Sequence, residues 1–210
     1  MTASLIILGG LLGGVAVVLV RWLPRGIPER LEQPGWTRRC GRAVVLVPIG
    51  ALSVAVVAEF ATTTLELALG LVLVAVLLPA AVIDIAWRVV PDSLSLVGAA
   101  LAFGLIGLLA PSALVTHALA GLIGGVVMLA LAFLARGGIG LGDVKLVAML
   151  GVVLGAALPV AVIAAALISG LAALPVRHRR GRGATVPLVP FLAAGALVAS
   201  VGVTVPGWGL

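Results

Sequence analysis

The sequence is poor in charge, poorest in acidic residues, and almost without cysteine. Only 10% of the 210 residues are charged, 7 are Asp or Glu, and Cys40 is the single cysteine. One cysteine excludes both an intrachain disulfide and a zinc site built from several cysteines. The composition is 63% hydrophobic, which a soluble domain of this size could not bury. The sequence therefore predicts a protein whose solvent is lipid.

Long apolar runs support a polytopic, all-α membrane helical bundle. Runs such as Ser4–Val20, Leu65–Ile83 and Leu94–Ala110 are long enough to cross a hydrocarbon core of about 30 Å as helices. The many glycines inside these runs suit close helix–helix contacts in a membrane. We predict a single membrane-embedded domain over 1–210 with about eight spans: 4–22, 43–59, 65–86, 94–110, 117–135, 143–156, 159–175 and 187–205. The break between the sixth and seventh rests on Gly155 and Pro159 alone.

The basic residues predict the topology. With eight spans, all 13 Lys and Arg residues fall in loops on one side, including a short basic loop at 24–42. The positive-inside rule places these loops in the cytoplasm and both termini outside. This distribution is typical of a multi-pass protein of the cytoplasmic membrane and not of a nucleic-acid-binding groove. Met1–Leu23 is interpreted as a retained first span, because no cleavage site closes its apolar run.

Three aspartates, Asp84, Asp92 and Asp143, lie at the cytoplasmic ends of apolar spans. A carboxylate at this depth is costly unless it faces water or protein, so it indicates a functional site. Asp84 ends the third span and Asp143 begins the sixth. The predicted topology places both on the same side and at similar depth, where they could meet.

Asp143 follows a run of glycines at 137, 138, 140 and 142. Such a run lets the backbone approach a substrate closely and ends the preceding span. An aspartate directly after it lies at a helix start, where it can also serve only as a cap for free N–H groups. Both interpretations of Asp143 remain open at this point.

Asp84 lies inside an apolar run, where a helix would not place a carboxylate without a partner. Arg88, one turn later, offers a simple alternative as an i,i+4 ion-pair partner. The following Pro91-Asp92-Ser93 segment predicts a turn that opens the next helix, with Asp92 or Ser93 as its N-cap. Asp92 is therefore interpreted as structural.

Together these segments resemble the type IV prepilin peptidases. Ile83-Asp84-x6-Pro91-Asp92-Ser93-Leu94 is followed by Gly140-Leu141-Gly142-Asp143-Val144-Lys145-Leu146, similar to the two aspartate motifs of that family. Arg21-Trp22-Leu23-Pro24 and Pro187-Leu188-Val189-Pro190-Phe191 are similar to its Arg-Leu-Pro and Pro-x-x-Pro-Phe elements. The family consists of membrane aspartyl proteases that share the Gly-x-Gly-Asp motif with presenilin-like and preflagellin peptidases.

The resemblance implies that Asp84 and Asp143 are the catalytic pair, with Gly140, Gly142, Lys145, Pro91 and Asp92 as motif and supporting residues. Two nearby carboxylates do not both ionise easily, so one acts as base and the other as acid; neither role is assigned to a particular residue. Three interpretations of Lys145 stay open. It could bias the protonation equilibrium of the pair, bind an acidic group of the substrate, or extend to the membrane surface as a residue that only determines topology.

The implied substrates are prepilin-like proteins with a short basic leader, a glycine before the cut and an apolar helix. Proteolysis is expected to need no cofactor. Many bacterial members also methylate the new N-terminus with S-adenosylmethionine and carry two Cys-x-x-Cys pairs in the first loop. Here that loop is short and holds only Cys40, so the sequence gives no basis for predicting methylation. The shorter family members are a closer match in size.

Two other hypotheses stay open. Asp84 and Asp143 could be relay carboxylates of a small proton-coupled transporter, or helix caps in a silent membrane scaffold. A serine protease is disfavoured because no Gly-x-Ser-x-Gly segment occurs. His117 and His178 lie at span ends without evident ligand partners, so no metal site is predicted. The sequence does not indicate an oligomeric state.

Overall fold

The computed structural model of the protein describes residues 43–135, 139–180 and 187–202, together with scattered residues between Ile7 and Val18. Within these residues the chain is helical, as predicted, and contains no strand. From Ala43 onward, seven α-helices follow one another in the described residues: α1 Ala43–Phe60, α2 Thr64–Trp87, α3 Asp92–Leu109, α4 Leu114–Leu134, α5 Leu141–Leu154, α6 Leu158–Arg180 and α7 Val189–Gly202. Short 3-10 helices precede α4 and α6, at Pro111–Ala113 and Gly155–Ala157.

Each of the seven predicted spans from 43–59 onward coincides with one of these helices. In the part of the chain that the structure describes, four segments are long and apolar enough to cross a membrane: Thr64–Trp87, Asp92–Leu109, Pro111–Leu134 and Leu141–Leu174. Helix α5 alone is about 21 Å long, which is shorter than a hydrocarbon core. The count of eight crossings therefore stays a prediction. The basic loop at 24–42, the segment at 21–24 and most of the first span lie outside the described residues.

Helix α2 is the centre of the bundle. In its most apolar stretch 67% of the residues are buried, against 22% in the corresponding stretches of α3 and α4. Its start is well defined, because Thr63 and Glu66 form a reciprocal capping box. Leu73, Leu77 and Ile83 are fully buried along its length. A central helix surrounded by other helices has little lipid contact, so its polar residues must find protein partners.

Glycines allow neighbouring helices to approach closely, as the sequence predicts. A Cβ at Gly195 of α7 would lie 2.2 Å from the carbonyl oxygen of Ala161 in α6. A Cβ at Gly121 of α4 would lie 2.9 Å from the carbonyl oxygen of Ala148 in α5. Both distances are too short for any larger residue, so these helix pairs pack backbone against backbone.

The predicted break after α5 is also present. Gly155 has φ 54°, and a Cβ there would lie 2.9 Å from the ring of His117. His117 is buried, and its Nδ1 lies 2.7 Å from the carbonyl oxygen of Val152 near the end of α5. His117 is thus a packing residue at one end of α5, whereas Asp143 lies at the other end.

Candidate active site

Asp84 lies near the end of the central helix α2 and is buried, with 6% of its surface exposed. Its Oδ2 accepts a hydrogen bond of 3.0 Å from the backbone N–H of Val189, the first residue of α7. Its neighbour Ile83 is fully buried. The carboxylate is therefore held inside the bundle between α2 and α7, at a depth where an unpaired carboxylate would be costly.

The chain leaves α2 at Arg88, which adopts a left-handed conformation with φ 55° and ψ 36°. Its backbone N–H donates to the carbonyl oxygen of Asp84 at 2.9 Å. Arg88 lies one turn after Asp84, and its positive charge acts on that carboxylate. The alternative that Asp84 serves only as a helical ion-pair partner does not account for the hydrogen bond from α7.

Asp143 lies in the first turn of α5 and is partly exposed. Its Oδ2 accepts a hydrogen bond of 3.3 Å from the backbone N–H of Gly140, the residue that precedes the helix. Asp143 therefore does cap a free backbone N–H at the start of α5, as one of the two interpretations predicts. Gly140 has no side chain to return the interaction, so only half of a capping box is present. A capping role does not prevent the same carboxyl group from reacting.

The two aspartate motifs pack directly against each other. A Cβ added to Gly142 would lie 3.0 Å from the Cβ of Val90 and 3.2 Å from its carbonyl oxygen. The start of α5 therefore rests on the segment that joins α2 to α3. Because Asp143 follows Gly142 in this first turn, the contact brings Asp143 to the same end of the bundle as Asp84.

Asp92 has a different role from the one predicted. The turn at Pro91 opens α3 as expected, but α3 begins at Asp92, with Pro91 in the cap position and no side-chain cap bond. Neither Asp92 nor Ser93 is therefore the N-cap. The Asp92 side chain instead forms an ion pair with Lys145 of α5. Lys145 is thus a partner of the first motif, an interpretation that the sequence did not suggest.

Val189 is the participant that sequence reasoning missed. It contributes a backbone N–H, which leaves no chemical signature in its side chain. The available signal was the Pro187-Leu188-Val189-Pro190-Phe191 element, which predicts a helix start because proline is favoured in the first turn. Nothing in the sequence indicates which side chain that helix start would meet.

Residues 71–174 match the model of the type IV leader peptidase family. The matched segment contains both aspartates, the Pro91-Asp92 turn and the Gly140–Lys145 segment. No curated protein and no solved structure shows significant similarity to the chain. The resemblance drawn from the motifs is therefore confirmed by the family model.

Proposed function

Because residues 71–174 match the type IV leader peptidase family, we propose that the chain is a membrane aspartyl endopeptidase. Its reaction is the removal of the short basic leader from type IV prepilin-like precursors, such as pseudopilins or tight-adherence pilins. The main support is that the family segment contains two aspartates, Asp84 and Asp143, in motifs that are in contact through Gly142 and Val90. The transporter hypothesis gains no support from the family match.

The proposed chemistry uses the pair as acid and base. Repulsion between the carboxylates favours a state in which one is ionised and the other keeps a proton. The ionised member takes a proton from a water molecule, which attacks the scissile carbonyl carbon. The protonated member donates its proton to the developing oxyanion. The other member then gives the proton that it took from water to the leaving amine, and the diol returns its proton to the first carboxylate as the C–N bond breaks. No metal or cofactor enters these steps.

We place the pair at the cytoplasmic face, with both chain termini outside. The support is the location of the basic loops, which the positive-inside rule assigns to the cytoplasm. A precursor whose basic leader stays in the cytoplasm and whose apolar helix enters the bilayer presents its cleavage site at this depth. The proposal includes no methyl transfer, because nothing in the described residues supports it.

Coexpression with candidate precursors tests the proposal. Leader removal changes the mobility of the precursor on a gel, and we expect it with the wild-type chain and with Glu59→Gln, an exposed acid far along the sequence from either motif. We expect Asp84→Asn and Asp143→Asn each to abolish cleavage while the protein still inserts in the membrane. Normal cleavage by both aspartate variants would refute the protease hypothesis.

A further inference from the structure

The two aspartates differ in what holds them. Asp84 accepts a hydrogen bond of 3.0 Å from Val189, a residue 105 positions away on another helix. Asp143 accepts one of 3.3 Å from Gly140 within its own first turn. A donor from a separate, packed helix fixes the position of a carboxylate independently of the helix that carries it. The arrangement therefore suggests different tasks for the two groups.

Val189 is suited to hold a negative charge. It is the first residue of α7, so its N–H has no carbonyl partner within the helix. The N-terminus of a helix also carries a partial positive charge that favours a nearby anion. Val189 is fully buried, and a hydrogen bond to a charged group counts for more where water is excluded.

Of the other charged residues near Asp84, one favours its ionised form, one is already paired, and one opposes a second negative charge. Arg88 brings a positive charge from the end of α2. Lys145 of α5 is already paired with Asp92 of α3, and α7 has no ionisable side chain. Asp143 is the remaining neighbour, and it lies in the repulsive field of Asp84. Burial opposes a charge on Asp84, but it also strengthens each of the favourable contacts.

We propose that Asp84 is the ionised member of the pair and the general base, and that the backbone N–H of Val189 is the positioning group that keeps it so. Asp143 is then the protonated member and the general acid. This inference rests on the proposed protease function. It gives the Pro187–Phe191 segment a defined task, which is to start α7 at the residue whose N–H meets Asp84.

Val189→Pro removes this N–H and replaces the buried valine side chain with a proline ring. Proline is favoured at the first position of a helix, where its ring matches the backbone and no intrahelical hydrogen bond is lost. Val189→Ala is the matched control, because it shortens the buried side chain and keeps the N–H. The measurement is the pH dependence of kcat/KM for cleavage of a synthetic precursor with a basic leader, a glycine and an apolar helix, because this profile reports the essential acid and base of the free enzyme.

We expect Val189→Pro to move the acidic limb of the profile to higher pH by about one pH unit, because the lost hydrogen bond stabilised a charged group. Val189→Ala should leave the limb in place even if the protein becomes less stable to heat. A movement of the basic limb instead would reverse the two roles. An active Val189→Pro enzyme with both limbs unmoved would overturn the inference.

Gly140→Pro makes the complementary test at Asp143. Gly140 has φ −76° and ψ 148°, which proline can adopt, and the change removes the N–H that contacts Asp143. We expect the basic limb to move to higher pH and the acidic limb to stay. Movement of the acidic limb would contradict the assignment of the acid.

An amide-to-ester replacement at residue 189 deletes the same N–H without a proline, and applies if Val189→Pro does not fold. Its expected and contradicting results are those of Val189→Pro. Failure of the wild-type chain to cut any precursor would refute the protease function itself. Normal aspartate dependence with unmoved limbs would refute only the division of roles.

Discussion

The surroundings of Asp84 and Asp143 differ in burial and in the origin of their hydrogen bonds. Asp84 belongs to the central helix and is held by the start of α7, whereas Asp143 is partly exposed at the start of α5 and is held by its own first turn. Both carboxylates accept a backbone N–H at or just before a helix start. In one case the helix is another element, and in the other it is the helix that carries the aspartate.

This difference is the basis of our proposal that the bundle sets two identical side chains to different tasks. A buried carboxylate that is bound by a packed neighbour has a single well-defined position. A carboxylate in the first turn of its own helix moves with that helix start, and here the start rests on Val90 through Gly142. The position of Asp143 relative to Asp84 therefore depends on this contact.

The largest expected effect comes from removing either of the two carboxyl groups. Residues that act as a unit are not additive in catalysis, and removing one member already destroys the mechanism. We expect Asp84→Asn and Asp143→Asn each to lower kcat by at least about 1000-fold, and the double variant to lower it no further. Steady-state kinetics on a purified precursor check this expectation. Multiplicative losses would mean that the two groups work independently.

A smaller effect is expected from Gly142, which sets the spacing between the motifs. Its missing Cβ would lie 3.0 Å from Val90, so Gly142→Val should push the start of α5 away from the first motif. A misplacement of this kind can cost about 100-fold in rate. Gly104→Val is the matched control, because nothing lies within 4 Å of the corresponding position. Equal activity of the two variants would show that the contact does not position Asp143.

The smallest effect is expected from the ion pair between Asp92 and Lys145. Their side chains are 66% and 52% exposed, respectively, and exposed pairs contribute at most about 1 kcal/mol. Asp92→Asn should therefore lower kcat/KM by no more than about fivefold, and a double-mutant cycle with Lys145→Gln should give a coupling that weakens in salt. A loss of hundredfold or more would make Asp92 a third member of the catalytic group.

Much of the fold follows from composition and pattern. The helices from α1 to α7 lie where apolar runs and glycine or proline breaks predict them, because lipid requires each spanning segment to satisfy its own backbone. The break at Gly155 was predicted from two residues and is present. The prediction that Asp92 or Ser93 is the N-cap was wrong, since Pro91 holds that position. The Asp92 side chain pairs with Lys145, a distant residue that local sequence preferences do not include.

In the candidate site too, the sequence predicts the residues but not the contacts between distant parts of the chain. The cost of a carboxylate in an apolar run identifies Asp84 and Asp143 without any knowledge of their neighbours. The contacts that distinguish them are not visible in the pattern. Val189 contributes only its backbone, and the closeness of Gly142 to Val90 depends on how α5 packs against the α2–α3 connection.

By itself, therefore, the sequence determined a helical protein with segments apolar enough to cross a membrane, the positions of its helices from Ala43 onward, and two aspartates in a segment that matches a peptidase family. These properties follow from hydropathy, from the glycines and prolines that end helices, and from the high free-energy cost of an ionisable group in lipid. Only the tertiary structure decided which backbone N–H donates to Asp84, which residue forms an ion pair with Asp92, and which residue Gly142 contacts. Those contacts join residues far apart in the chain, and they form because close packing of helices leaves each buried polar group few possible partners.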